Sequence, residues 1–398
     1  MRRRGYIYMY VLLASAGCDY GFRPETLVEN LRLIGINASP ANVRPGESTQ
    51  LTALILDPSR SMPSTVLWIG CEADPYNLNR SPCANPDVLT DSASLTGGTG
   101  TLPPGVSIIG FGPRATYSVP ATLFDPLETN DPRRMSGTVG TVLAFAVAET
   151  VSPAAPPEEL QALFERVQRK EVRSVLAIFR IQISESMVRN ANPTVDSLVV
   201  GGEVWPRGAR MLVREKEPVT LDLVAPDSSF EAYEVSTPEG IEQRTERILV
   251  AWYSTAGRFS EERTALREGV QTIFTAPGAG DEKDPVPEKR TGSLYTVLRD
   301  TRGAQAWKEW PFFVCDDAAP APSVTSVDWP SDVMTPLVLH GTQLDSLVDV
   351  IVEGAALERP SFDSASGTFS GFLPSGVGVM PQSLTLHARN CAREIRGP

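Results

Sequence analysis

The chain has 398 residues, a formal net charge of −12, and a turn-rich composition with 31 glycines and 34 prolines. That length accommodates about two to four domains. The acidic balance argues against a nucleic-acid partner, which needs Lys and Arg set against phosphates, and against adhesion to anionic lipid headgroups.

Residues 1–17 read as an export signal. Arg2, Arg3 and Arg4 form a basic cluster, Gly5 to Ala14 is a short apolar run, and Ser15-Ala16-Gly17 are small. The run falls well short of the ~20 residues that a membrane-spanning helix needs. Followed at once by Cys18, the segment resembles the recognition site of bacterial lipoprotein signal peptidase, with Ser15 where that site usually carries Leu. The resemblance implies cleavage before Cys18 and acylation of it with palmitate-type chains, each buried methylene adding about 0.8 kcal/mol of membrane affinity. Residues 18–29 are then anchor and linker. Asp19 follows the cysteine; in some bacteria an Asp there retains lipoproteins at the inner membrane. The outer membrane is the first expectation, on its periplasmic or surface face, and the inner membrane stays open.

Four further cysteines, Cys71, Cys83, Cys315 and Cys391, make an even number in an exported chain, which points to two disulfides. Four cysteines allow three pairings. Proximity favours Cys71–Cys83 and leaves Cys315–Cys391.

A first sandwich is expected over residues 30–189. Leu31 to Ala38 and Ser48 to Leu56 read as strands, with Leu51, Ala53 and Ile55 at period two. Thr65 to Ile69 carries Trp68. A long loop, Asp74 to Gly105, precedes strands at Val106 to Ile109, Ala115 to Val119 and Gly140 to Ala148. Pro156-Pro157-Glu158-Glu159 then opens a helix over about 157–170, since proline and acids suit a first turn. Its apolar stripe, Leu160, Leu163, Phe164 and Val167, has helical spacing and reads as a packing face. Val172 to Ile183 returns to strand.

A second sandwich is expected over 190–315, opened by Asn190-Ala191-Asn192-Pro193. Strands follow at Thr194 to Val200, Val219 to Val224 and Arg247 to Ser254, and the segment Thr272 to Pro277 comes later. A charged loop spans Gly278 to Arg290. Asp300-Thr301-Arg302-Gly303 turns the chain between Leu294 to Arg299 and Ala304 to Val314. Trp252 on its strand, Thr275-Ala276-Pro277 and the Asp300 to Gly303 turn come in the order seen in bacterial immunoglobulin-like domains, which this unit resembles. Pro45-Gly46-Glu47 and Trp68 give the first unit a weaker version, so the chain reads as a diverged tandem repeat.

Residues 316–322 end in the alternation Ala319-Pro320-Ala321-Pro322, the composition of a stiff extended linker. The last unit, 323–398, resembles IPT/TIG domains through Ser326 to Pro330, Leu337 to Leu344, Val350 to Gly354 and Ser383 to His387. Leu344 stands in place of that family's aromatic residue, and Glu353-Gly354-Ala355 in place of its glycine pair. The whole resembles lipoproteins of myxobacterial type, a likeness that brings no catalytic residues with it.

Sites of chemistry are scarce. His340 and His387 are the only histidines, and both lie in expected strands. There is no G-x-S-x-G elbow and no zinc-protease H-E-x-x-H pair. Gly97 to Gly100 lacks the Lys-Ser/Thr of a phosphate loop. Asp281-Glu282-Lys283-Asp284 lacks the spacing of a calcium loop, and Glu261-Glu262 reads as an exposed charge cluster. The expectation is an all-β chain of tandem immunoglobulin-like β-sandwiches with one inserted helix, with no cofactor, no metal and no catalytic residues. Its function is that of a lipid-anchored cell-envelope spacer or interaction scaffold, meeting the membrane through its lipid and an envelope protein or polysaccharide through its surface. The alternatives are a polysaccharide- or protein-binding module using the loops Asp74 to Gly105 and Gly278 to Arg290, and a carboxylate-based hydrolase.

Overall fold

A computed structural model describes residues 25–76, 105–237, 240–379, 381 and 383–396. Cys18, the signal residues and Cys83 lie outside them.

Eight strands build the first sandwich: β1 (Arg32–Ser39), β2 (Asn42–Val43), β3 (Ser48–Leu56), β4 (Thr65–Cys71), β5 (Val106–Phe111), β6 (Arg114–Ser118), β7 (Thr138–Val147) and β8 (Ser174–Ile183). They form two sheets, in orders β1-β3-β6 and β2-β8-β7-β4-β5. Strand alternation drives the layering: on β3, Thr49, Leu51 and Ala53 are buried while Ser48 and Gln50 face water. Trp68, Val142, Ile181 and Ile183 complete the core between the sheets. The Trp68 indole N–H donates to the Gly112 carbonyl at 2.8 Å.

Among the described residues two α-helices interrupt the strands, α1 (Pro132–Ser136) before β7 and α2 (Pro157–Gln168) after it. Pro157, Glu158 and Glu159 occupy the first turn of α2. Phe164 stacks on Phe145 of β7 at 5.3 Å, and Leu163 is buried beside Val147 and Val172. The apolar stripe of α2 therefore packs on the outer face of the larger sheet.

The second sandwich holds β9 (Ser197–Val200), β10 (Glu203–Val204), β11 (Met211–Val213), β12 (Pro218–Val224), β13 (Ala232–Thr237), β14 (Gly240–Thr245), β15 (Leu249–Ser254), β16 (Arg258–Phe259), β17 (Arg263–Ala265), β18 (Thr272–Thr275), β19 (Thr291–Arg299) and β20 (Gln305–Val314). Its sheets run β10-β9-β12-β18-β16 and β11-β20-β19-β15-β17, with β13 and β14 as a separate hairpin. Trp252 on β15 is buried, and its indole N–H donates to Thr264 Oγ1 at 3.0 Å. The two sandwiches share a second device: β2 runs parallel to β8, and β11 runs parallel to β20.

The third sandwich comprises β21 (Ser323–Asp328), β22 (Leu337–Thr342), β23 (Leu347–Val352), β24 (Ala355–Ala356), β25 (Glu358–Asp363), β26 (Thr368–Phe372), β27 (Leu384–Ala388) and β28 (Arg393–Arg396). Its sheets run β21-β22-β26-β25 and β24-β23-β27-β28 around Val324, Leu339, Val350, Phe369 and Leu386.

The joints between sandwiches are tighter than the sequence implies. Part of the stretch expected to be a linker, 18–29, is docked: the Val28 N–H donates to the Ser254 carbonyl at 2.8 Å, and the Ser254 N–H to the Thr26 carbonyl at 3.0 Å. Thr26, Leu27 and Val28 are buried there. The chain thus fastens to the second sandwich before entering the first. β1 lies on the outer face of β20, where Gly35 leaves room for the Trp307 ring; a Cβ there would sit 3.3 Å from it. Asn192 bridges the same joint, donating to the Ala38 carbonyl at 2.8 Å and accepting from the Gln305 N–H at 3.3 Å.

The linker at 316–322 likewise does not separate its neighbours. Val348 and Ile351 of the third sandwich belong to the core of the second. Arg207 forms a ladder with β24, its N–H donating to the Gly354 carbonyl and its carbonyl accepting from the Ala356 N–H, both at 2.9 Å. The Cys315–Cys391 disulfide, with a Cα separation of 5.4 Å, crosses the joint as well.

Candidate functional site

Of the residues that the sequence singles out, the structure brings together Cys315 and Cys391. Cys71 is buried at the end of β4; its expected partner, Cys83, lies outside the described residues, as does the acylation site Cys18.

A half-open cleft of about 450 Å³ lies at the Cys71 end of the first sandwich. Gly70, Glu72, Ser107, Ile109, Thr116 and Tyr117 line it. Its back is the Tyr117 ring, whose hydroxyl donates to the Cys71 carbonyl at 2.9 Å. Gly140 makes space for that ring, since a Cβ there would approach the hydroxyl oxygen to 2.7 Å. Burial, with the nearby charge of Glu72, pushes the phenol up to about 12. The Glu72 N–H donates to the Gly105 carbonyl at 2.7 Å, so the ends of the long expected loop meet at the cleft mouth. A volume of this size suits a small ligand. The lining offers hydroxyls, backbone groups, apolar patches and one carboxylate, a set matched to neutral polar groups.

The second expected recognition loop, Gly278 to Arg290, is tied down. Asp284 Oδ1 accepts from the Gly257 N–H at 2.8 Å, and Glu215 Oε2 from the Ala279 N–H at 2.8 Å. Burial raises the Asp284 carboxyl. Among the described residues the exposed large hydrophobics include two aromatic side chains, Tyr76 and Phe362. The Arg133 guanidinium covers the Tyr76 ring at 5.2 Å. Trp310 packs against the core of the second sandwich and Trp307 lies at the joint with the first. Among the described residues no group of three or more His, Cys, Asp and Glu side chains could hold a metal ion.

Burial, which the sequence does not show, shifts three further ionisable groups, Asp300, Asp349 and His387. Asp300 is buried in the turn between β19 and β20, which it caps by accepting from the Ala304 N–H at 2.8 Å. Burial, then the charge of Glu246, raises its carboxyl to about 6. Beside it Arg302 pairs with Glu246 and, at 2.5 Å, with Glu231, and lies over the Tyr233 ring at 4.8 Å, pinning the base of the β13–β14 hairpin. At the joint between the second and third sandwiches, Asp349 Oδ2 accepts from the Arg210 N–H at 2.7 Å, and burial raises that carboxyl to about 6. Its cross-strand neighbour His387 is buried against Trp205, ring centroids 5.5 Å apart. Burial, then Arg393, lowers the imidazole to about 4. His340, by contrast, is exposed and meets Asp328 at 2.8 Å. One of these groups did leave a sequence signal: Asp349 interrupts the aliphatic run Leu347 to Val352, which marks a carboxylate held in a core strand.

No protein-family model matches the chain, and no curated protein matches it. Among solved structures, a Bacteroides ovatus protein of a mixed-linkage glucan utilization locus, in complex with a mixed-linkage heptasaccharide, aligns at 14% identity and TM-score 0.16, covering 51% of this chain and 46% of its own. The chain thus spans under half the length of that protein. A bacterial ice-binding adhesin aligns at 10% identity and TM-score 0.19, covering 92% and 96%. The two tandem V-type regions of a chitin-binding protein align at 9% identity and TM-score 0.23, covering 71% and 100%. The sandwich assignment rests on the sheets themselves.

Proposed function

We propose that the protein is an exported, lipid-anchored envelope scaffold that presents surfaces on three stiffly jointed sandwiches. The observation that carries this reading is the construction of the joints. A domain pair joined only by a linker moves freely, whereas here a docked N-terminal segment, a shared core and a disulfide oppose such motion. Stiffness suits display and spacing. The anchor is Cys18, and two disulfides, Cys71–Cys83 and Cys315–Cys391, fit an oxidising compartment. Labelling cells with a fatty-acid analogue tests the anchor: label is expected on the wild type and lost in Cys18→Ala, and equal label on both overturns it.

A second reading is favoured by the cleft beside Tyr117. It takes a neutral, hydroxyl-rich group, such as part of a polysaccharide, between Glu72, Thr116 and the Tyr117 ring. A glycan array with the mature chain should then show a hit that weakens in Thr116→Val; an array with no enrichment, or a hit indifferent to Thr116→Val, removes this reading.

A further inference from the structure

β8 pairs along its whole length with β7 on one side. On its other side β2 meets only Gln182 and Ile183. Hydrogen-bond alternation then fixes which groups the open edge presents. The Arg173 carbonyl accepts from the Ala148 N–H on the β7 side, and the Ser184 N–H donates to the Val43 carbonyl on the β2 side. Odd-numbered residues of β8 therefore bond to β7, and the backbone N–H and C=O groups of Ser174, Leu176, Ile178 and Arg180 point to the open edge. The same four side chains share one face of the sheet. Leu176 and Ile178 are 50% and 52% exposed, beside Phe145 and Leu143 across the ladder.

An open edge carrying aliphatic side chains is what native sheets usually blunt with charge, proline or a bulge. Among the described residues no strand pairs with it from Ser174 to Arg180, and it lies between two exposed arginines, Arg173 and Arg180, neither of which forms an ion pair there.

We propose that the β8 edge is a docking site for an extended peptide segment with alternating aliphatic side chains and acidic flanks, taken up as an added strand. Main-chain bonds to Leu176 and Ile178 supply affinity, alternate side chains of the segment lie beside Leu176 and Ile178, and the arginines select the flanks. A second copy of this chain fits less well. Antiparallel pairing of β8 with itself about Ala177 lines Arg173 and Arg180 of both copies along one seam, with no acid among them. The proposal rests on the scaffold reading and names the partner class of that scaffold.

The test uses the purified mature chain and a synthetic nine-residue peptide of alternating Val and Thr closed by two Asp at each end. Fluorescence anisotropy should show saturable binding that weakens with salt. Ile178→Pro removes one edge N–H and leaves the bonds to β7 in place, so binding should fall at least about tenfold, which is about 1.4 kcal/mol. Arg180→Glu should shift preference toward the same peptide with Lys flanks, and it serves as the deciding variant should Ile178→Pro fail to fold. No saturable binding to folded chain, or binding unchanged in both variants, overturns the assignment. So does a dimer that Ile178→Pro dissolves, which would give the edge to a second copy. Any of these results leaves the fatty-acid labelling of Cys18 untouched, so failure of the edge is distinguishable from failure of the anchored scaffold.

Discussion

His387 and Asp349 face each other across β27 and β23, and the same burial drives their proton affinities in opposite directions. For His387, lowered to about 4, the stability contribution is present above the free-imidazole value of 6.5 and fades as pH falls toward 4. For Asp349, raised to about 6, the contribution is present below 3.8 and is lost as pH rises through 6. Urea denaturation at pH 4.5 and pH 7.5 separates the two. Relative to wild type, His387→Asn should gain on going to the lower pH and Asp349→Asn on going to the higher, each by on the order of 1–2 kcal/mol. Gaps that stay constant with pH would contradict the burial account. Glycines at close approaches make a separate prediction. A Cβ on Gly341 would lie 1.9 Å from the Ser323 carbonyl oxygen, so Gly341→Ala should cost roughly 2–4 kcal/mol by forcing β21 and β22 apart.

At the level of elements, strands that bury one face were readable because period-two patterning and core packing express the same constraint. Leu51 and Ala53 on β3 point inward as their alternation implies, and Trp68 on β4 and Trp252 on β15 are buried as well. The helix α2 was legible through Pro157, Glu158 and its stripe. α1 was not: five residues are too few to show a period. The β13–β14 hairpin was missed because Glu234, Glu242, Gln243 and Arg244 leave it only the short apolar pair Tyr233 and Val235, and tertiary contacts of Arg302 hold its base. The docking of Thr26 to Val28 leaves no local mark either, since a three-residue segment pairing with distant Ser254 is a long-range event. It carries a prediction. Val28 is fully buried, so Val28→Asp places an unpaired charge in that joint and should lower stability by about 3 kcal/mol or more. Thermal unfolding checks it, and an unchanged midpoint would show that the segment is not held there. The β8 edge was equally silent: the residues of that strand read correctly, but which side of it lies open depends on how far β2 extends.

The whole molecule differs from a string of beads in where its stiffness comes from. The first joint relies on backbone pairing and on the Gly35–Trp307 contact; the second relies on shared core residues and a disulfide closing a 76-residue span. Replacing Cys315 and Cys391 together by Ser should cost about 2–4 kcal/mol, with Val348 and Ile351 still seated in the neighbouring core. A larger loss would mean that the disulfide, and not the packing, holds the third sandwich in place. The distance between spin labels on non-natural residues at Ser59 in the first sandwich and Ala365 in the third, read by pulsed dipolar spectroscopy on the mature chain, tests the jointed scaffold most directly. One narrow distance distribution is expected, and a broad distribution spanning tens of ångströms would contradict it.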